Sequence, residues 1–145
     1  MNENSLQIYL ASAGSGKTFN LVVEYLDLLM KNPESLKNIL AVTFTNASTK
    51  EMKDRIIEVL LYFRNAKDED IKENSYYKVL QTKQLNEQNK NLTIKEVKQK
   101  SQEALRDILH SYSFFNILTI DSFFQLILRN LAKELGVNSS FNLII

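Results

Sequence analysis

Cysteine and tryptophan are absent from this chain, and histidine and proline occur once each. Without cysteine there can be no disulfide, no thiolate metal site and no sulfur nucleophile. A histidine metal cluster or a Ser-His catalytic pair would rest on His110 alone, and that residue is expected as a surface or helix-end side chain. One proline and three glycines in 145 residues leave few interruptions, so helix is expected to dominate. An excess of one charge is also missing. The net charge of +1 gives no broad basic field, although a single nucleic-acid groove needs only a few donors. No apolar run approaches the ~18–20 residues that span a bilayer. The opening Met-Asn-Glu-Asn-Ser-Leu-Gln has neither the basic nor the apolar region of a signal peptide. A cytoplasmic location with no membrane partner is therefore expected. What is present, 44% hydrophobic and 24% charged residues, suits one soluble domain with a real core.

Periodicity organises that content. Leu-Gln-Ile-Tyr-Leu-Ala (6–11) has the length and apolarity of a buried strand. From Thr18 to Lys31, Leu21/Val22, Tyr25/Leu26 and Leu29 recur at helical spacing until Asn-Pro-Glu-Ser (32–35) stops them. A second strand is expected at 38–45. A helix capped by Asn46 follows, with Met52, Ile56, Val59/Leu60 and Phe63 as its apolar stripe. Residues 65–92 turn polar, with one short helix between loops. Thr93 and Glu96 form a capping-box pattern that opens a helix to 112. A third strand at 116–121 leads into a helix at 122–136, with Phe124, Ile127/Leu128, Leu131 and Leu135 inward and Gly136 as its stop. This order predicts an α/β fold with an open, mostly parallel sheet, flanking helices and a helical insert at about 65–112.

Ala-Ser-Ala-Gly-Ser-Gly-Lys-Thr (11–18) lies between the first strand and the first helix. It follows the phosphate-binding pattern G-x-x-x-x-G-K-[ST] except that Ala11 stands where the first glycine is usual. In such a loop the backbone N–H groups of Ala13, Gly14, Ser15 and Gly16 turn inward around phosphates. Lys17 reaches the β- and γ-phosphates and the Thr18 hydroxyl holds Mg2+. The helix N-terminus adds the positive end of its dipole. ATP and Mg2+ are the cofactors this implies, with Lys17 and Thr18 as the catalytic pair.

Two further strand-to-helix transitions, Ala-Val-Thr-Phe-Thr-Asn-Ala-Ser (41–48) and Leu-Thr-Ile-Asp-Ser-Phe-Phe (118–124), should open on the same sheet edge, because parallel strands bring their C-terminal ends together. A rim of hydroxyls, amides and aromatics there suits a single strand of nucleic acid. Phe44 in a core and Asn46 as a plain helix cap account for the same residues.

These three segments, in this order, resemble the opening motifs of superfamily 1A DNA helicases of the UvrD/Rep type. The long polar insert resembles the RecB and AddA branch, which belongs to helicase–nuclease complexes that process double-strand breaks. The resemblance implies a P-loop NTPase, RecA-like lobe and an ATP-dependent enzyme that moves along single-stranded DNA, in repair or recombination. It also implies DNA contacts at Phe44, Thr45, Asn46, Thr119, Ser122 and Phe123. Asp121 stands where the family commonly has histidine and is expected instead to cap the helix that follows. Neither an Asp-Glu pair to hold Mg2+ and activate water nor an arginine finger is visible. The chain is thus expected to be the N-terminal part of motor domain 1A, spanning 1–145 and inactive alone. Its partners would be ATP, single-stranded DNA, a second motor lobe and a nuclease subunit or domain. Two other readings are a small P-loop kinase, for which no arginine-rich lid is evident, and a non-catalytic nucleotide-binding partner module.

Overall fold

The computed structural model describes residues 16–88 and 91–136. The expected strand at 6–11, residues 11–15 of the phosphate loop and the tail after Gly136 lie outside the described residues. Helix α1 spans Lys17–Lys31, strand β1 Leu40–Thr43 and helix α2 Asn46–Asn65. Three helices follow: α3 (Asp68–Glu73), α4 (Ser75–Gln88) and α5 (Ile94–His110). Strand β2 (Asn116–Thr119) and helix α6 (Ile120–Glu134) complete the order, and short 3-10 turns at Pro33–Asn38 and Tyr112–Phe114 lead into the two strands. Together they make a mixed α/β structure that is mostly helical, with a small parallel sheet.

β1 and β2 pair in parallel, Leu40 opposite Asn116 through to Thr43 opposite Thr119. The two C-terminal ends therefore open side by side, as the strand order requires. Both strands are shorter than expected. Phe44 and Thr45 bend away instead of extending β1, and Ile120 and Asp121 already belong to the first turn of α6.

The core lies between α1, α2 and α5. Met52, Ile56, Val59, Leu60 and Phe63 of α2 are all buried, as their spacing predicts. They pack with Val97, Ala104, Leu105 and Ile108 of α5 and with Val22, Leu26, Leu29 and Met30 of α1. Leu21, grouped with that α1 stripe in the sequence, is exposed, because it falls one residue outside the buried arc. α5 begins with the expected capping box: the Thr93 hydroxyl accepts from the Glu96 N–H at 3.3 Å and the Glu96 carboxylate accepts from the Thr93 N–H at 3.0 Å.

The polar segment 65–112 packs onto the core. It holds three helices where one short helix and then a second were expected, and all three contribute to the core through residues such as Ile71, Leu80 and Leu105. Its Lys/Gln/Glu content conceals an ionic clamp between α1 and α4. Asp27, with a side chain only 2% exposed, pairs with Lys31 at 2.7 Å and Lys83 at 3.8 Å. Gln84 Nε2 also donates to its carboxylate at 3.3 Å, and Lys83 reaches Glu24 as well. On α5, the Lys100 ammonium donates to the Met30 carbonyl in the last turn of α1, an end whose unpaired carbonyls attract cations.

The stripe on α6 departs most from expectation. Phe124, Ile127, Leu128, Leu131 and Leu135 are exposed, and Ala132 is the one buried residue of this helix. Apolar periodicity marks a face that can be covered, and among the described residues nothing covers this one. Gly136 does end the helix: its φ of +66° is left-handed backbone, which glycine adopts at no steric cost.

Candidate functional site

Three helix N-termini carry the residues singled out by sequence. The first is that of α1. Gly16 precedes it at φ +81°, ψ +17°, a left-handed conformation that a side chain would strain, and the Gly16 carbonyl accepts the Asn20 N–H at 3.0 Å. Among the described residues no side chain caps its leading N–H groups, and the positive end of its dipole meets no carboxylate in the first turn. Lys17 is exposed and Thr18 half-buried at the same turn. An ammonium, a hydroxyl and uncapped N–H groups are the donor set that a magnesium-bound phosphate chain requires. Ala13, Gly14 and Ser15 lie outside the described residues.

The other two N-termini, of α2 and α6, stand directly behind the paired strand ends. Thr45, extended at φ −125°, caps α2, its Oγ1 accepting the Ser48 N–H at 3.0 Å. Thr119 caps α6 in the same way, accepting the Ser122 N–H at 3.2 Å. In both, the threonine also meets the serine hydroxyl at 2.9 Å. One motif, Thr-x-x-Ser after a strand, is thus built twice on adjacent strands. This corrects the sequence expectation that Asn46 and Asp121 are the caps. A threonine leaving a strand already has the extended backbone a cap needs, whereas Asn46 and Asp121 have entered the helix. The repeated pattern was present in the sequence and is the signal that could have found it.

The Thr43 hydroxyl shares a 2.6 Å hydrogen bond with the Thr49 hydroxyl and lies 3.2 Å from the Thr45 carbonyl oxygen. These bonds fix the bend at 44–45. Phe44, at the apex of that bend, is 85% exposed, so the assignment of its ring to a core fails. Asn46 is exposed beside it, Ser122 is exposed, and Phe123 is half-buried with its ring 5.9 Å from that of Phe124. The sheet edge thus brings Phe44, Thr45, Asn46, Thr119, Ser122 and Phe123 to one end of the two strands. The described residues alone do not join this edge to the N-terminus of α1. Among the described residues no group of acidic or histidine side chains could hold a metal, and no helix is long and apolar enough to cross a membrane. His110 is exposed in the last turn of α5, the helix-end position expected of it.

Comparison with known proteins gives the geometry a context. The chain is 44% identical over 62 residues to one of the ATP-dependent helicase/nuclease subunits of Thermoanaerobacter sp. (strain X514), covering 41% of this chain and 5% of that protein. It is 59% identical over 51 residues to the RecBCD enzyme subunit RecB of Chlamydia muridarum, covering 34% of this chain and 5% of that protein. Against a probable DNA helicase II homolog of Rickettsia conorii it is 47% identical over 49 residues, 34% of this chain and 8% of the relative. The matched segments are thus small parts of these long relatives. No solved structure matches the chain. The model of the UvrD/REP helicase N-terminal domain matches residues 2–144, and the chain belongs to that family.

Proposed function

We propose that this chain is the N-terminal part of motor lobe 1A of an ATP-dependent DNA helicase that moves along single-stranded DNA. The reading takes the full span 1–145 as that part, with a RecA-like parallel sheet and the insert at about 65–112. The observation that carries it is the exposed Phe44 ring at the C-terminal edge of two parallel strands, each of which runs into a hydroxyl-capped helix N-terminus. Threonine and serine hydroxyls, the Asn46 amide and helix N–H groups suit phosphates, and an exposed ring offers a base something to stack on.

In this reading Ala13, Gly14, Ser15, Gly16, Lys17 and Thr18 hold Mg2+-ATP, with Thr18 as the metal ligand. The bound nucleotide supplies the free energy of phosphoryl transfer. Lys17 neutralises phosphate charge, and the N-terminus of α1, with no carboxylate in its first turn, turns the positive end of its dipole toward it. Phe44, Thr45, Asn46, Ser122 and Phe123 hold the strand, and Thr119, buried with its hydroxyl on Ser122, positions that serine and not the DNA. Family membership and relatives named as helicase/nuclease and RecBCD subunits support a cytoplasmic role in DNA repair or recombination, beside a second motor lobe and a nuclease subunit or domain.

Two substitutions test the assignment on the chain itself, by titration with a fluorescent ATP analogue and a labelled oligothymidylate. Lys17→Ala is expected to abolish magnesium-dependent nucleotide binding without moving the melting temperature. Phe44→Ala is expected to weaken oligothymidylate binding by ~1–3 kcal/mol. Unchanged nucleotide affinity in the first removes the phosphate-loop assignment, and unchanged DNA affinity in the second removes the stacking role.

A further inference from the structure

The opposite edge of the sheet, where β1 and β2 begin, carries cations and aromatic rings in alternation. The 3-10 turns that lead into the two strands meet there, with Lys37 Nζ 5.0 Å from the centre of the Phe114 ring. Lys53 Nζ lies 5.2 Å from the ring of Tyr112 and 5.7 Å from that of Phe115. Phe115 is buried and supports this platform, and Tyr112 meets it edge-on at 6.0 Å. Tyr112 and Phe114 themselves are exposed.

Beside the rings Lys37 and Arg106 line a concavity of about 380 Å³. Arg106 also borders a second concavity of about 460 Å³, whose lining includes Arg64 and His110. Among the described residues two carboxylates line these concavities. Asp107 lies 3.5 Å from Arg106 Nε, and Glu103 accepts from Gln99 at 3.0 Å. Against them stand Lys37, Lys53, Arg64 and Arg106, so the surface is net positive although the chain as a whole is nearly neutral.

We propose that this face is a second contact for single-stranded nucleic acid, with Lys37, Arg64 and Arg106 on phosphates and the exposed rings of Tyr112 and Phe114 under unpaired bases. Charge alone would suit any anion; the two exposed rings specify one with flat, unstacked bases. A base pair in a duplex has no free face to offer them. Lys37 takes up one face of the Phe114 ring and Lys53 one face of the Tyr112 ring, so a base stacks on the opposite face with positive charge within a nucleotide's length.

The test is zero-length crosslinking of 4-thiothymidine oligonucleotides to the whole chain, with sites located to the residue by tandem mass spectrometry, together with binding across a salt series. Crosslinks are expected at Tyr112 or Phe114 and should persist in Phe44→Ala. The double substitution Lys37→Ala with Arg106→Ala is expected to cut affinity about tenfold. It should also lower the slope of log K against log salt by about 1.4, or ~0.7 for each phosphate that is no longer neutralised. Both lysine and arginine sites are exposed, so the melting temperature should hold. Crosslinks confined to Phe44, or a salt slope unchanged in the double variant, would overturn the proposal while leaving the first site standing. Equal competition by poly-glutamate, which offers charge without bases, would also overturn it.

Discussion

Replacing Tyr25 by Phe should make the protein more stable, and the expected gain follows from its surroundings. The side chain is 2% exposed on α1, its ring packs edge-on to Phe115 at 5.7 Å, and its buried hydroxyl has no hydrogen-bond partner among the described residues. An unsatisfied buried hydroxyl costs ~1–3 kcal/mol relative to hydration in the unfolded chain. Removing it leaves a void of roughly 10 Å³, which at ~24 cal/mol per Å³ costs only about 0.2 kcal/mol. The ring contact with Phe115 survives. Tyr25→Phe should therefore gain about 1 kcal/mol or more, a rise of roughly 3 °C in melting temperature for a domain of this size. Urea unfolding should show a higher midpoint with an unchanged slope. The same variant carries a pH signature. Burial pushes the Tyr25 phenol well above its ordinary 10.0, because the phenolate is the form that desolvation penalises. The folded state then holds a proton that the unfolded state releases. Stability is complete below about pH 10 and falls above it by up to about 1.4 kcal/mol per pH unit for this residue. Tyr76 and Tyr77 are raised for the same reason and add to the loss. Tyr25→Phe should flatten the alkaline decline. A loss of about 1 kcal/mol at neutral pH would mean that the hydroxyl is satisfied after all, and an unaltered alkaline limb that the phenol is not shielded from water; either would refute the reasoning.

The remaining predictions concern the clamp and the caps. Asp27→Ala removes the 2.7 Å ion pair to Lys31 and the acceptor of the Gln84 amide, and should cost about 2–3 kcal/mol in urea unfolding. Asp27→Asn should cost less, because the amide oxygen still accepts from Gln84. Thr45→Ala and Thr119→Ala should each cost ~1 kcal/mol, read as a lower melting temperature, whereas Asn46→Ala and Asp121→Ala should leave it nearly unchanged. Equal losses at Asn46 would contradict the cap assignment.

Much of the fold was legible because helix periodicity is a local property. The α2 stripe, the Thr93 capping box and the Gly136 stop all appear where spacing puts them. The insert was misjudged because its buried residues are few and widely spaced among polar ones. A helix such as α4 buries Tyr77, Leu80 and Gln84 yet shows little amphipathic contrast, and the Asp27–Lys83 pairing joins residues far apart in the chain. The stripe on α6 failed for the converse reason, since amphipathicity states which face seeks cover and is silent on what provides it. At the site, the Gly16-Lys17-Thr18 end of the phosphate-binding pattern falls on the left-handed turn that starts α1, and the rest of the pattern lies outside the described residues. The exposure of Phe44 depends on the Thr43–Thr49 hydrogen bond that sets the bend, which no residue frequency encodes.

The parallel register has a consequence for how the chain acquires its structure. Leu40 finds its partner only at Asn116, with α2 through α5 made in between. On the ribosome, β1 must wait for that pairing until β2 has emerged, while α2 and α5 can already pack together. A helical core should therefore form first and hold the two strand ends near each other, lowering the loop-closure entropy of a sheet that would otherwise be slow to assemble.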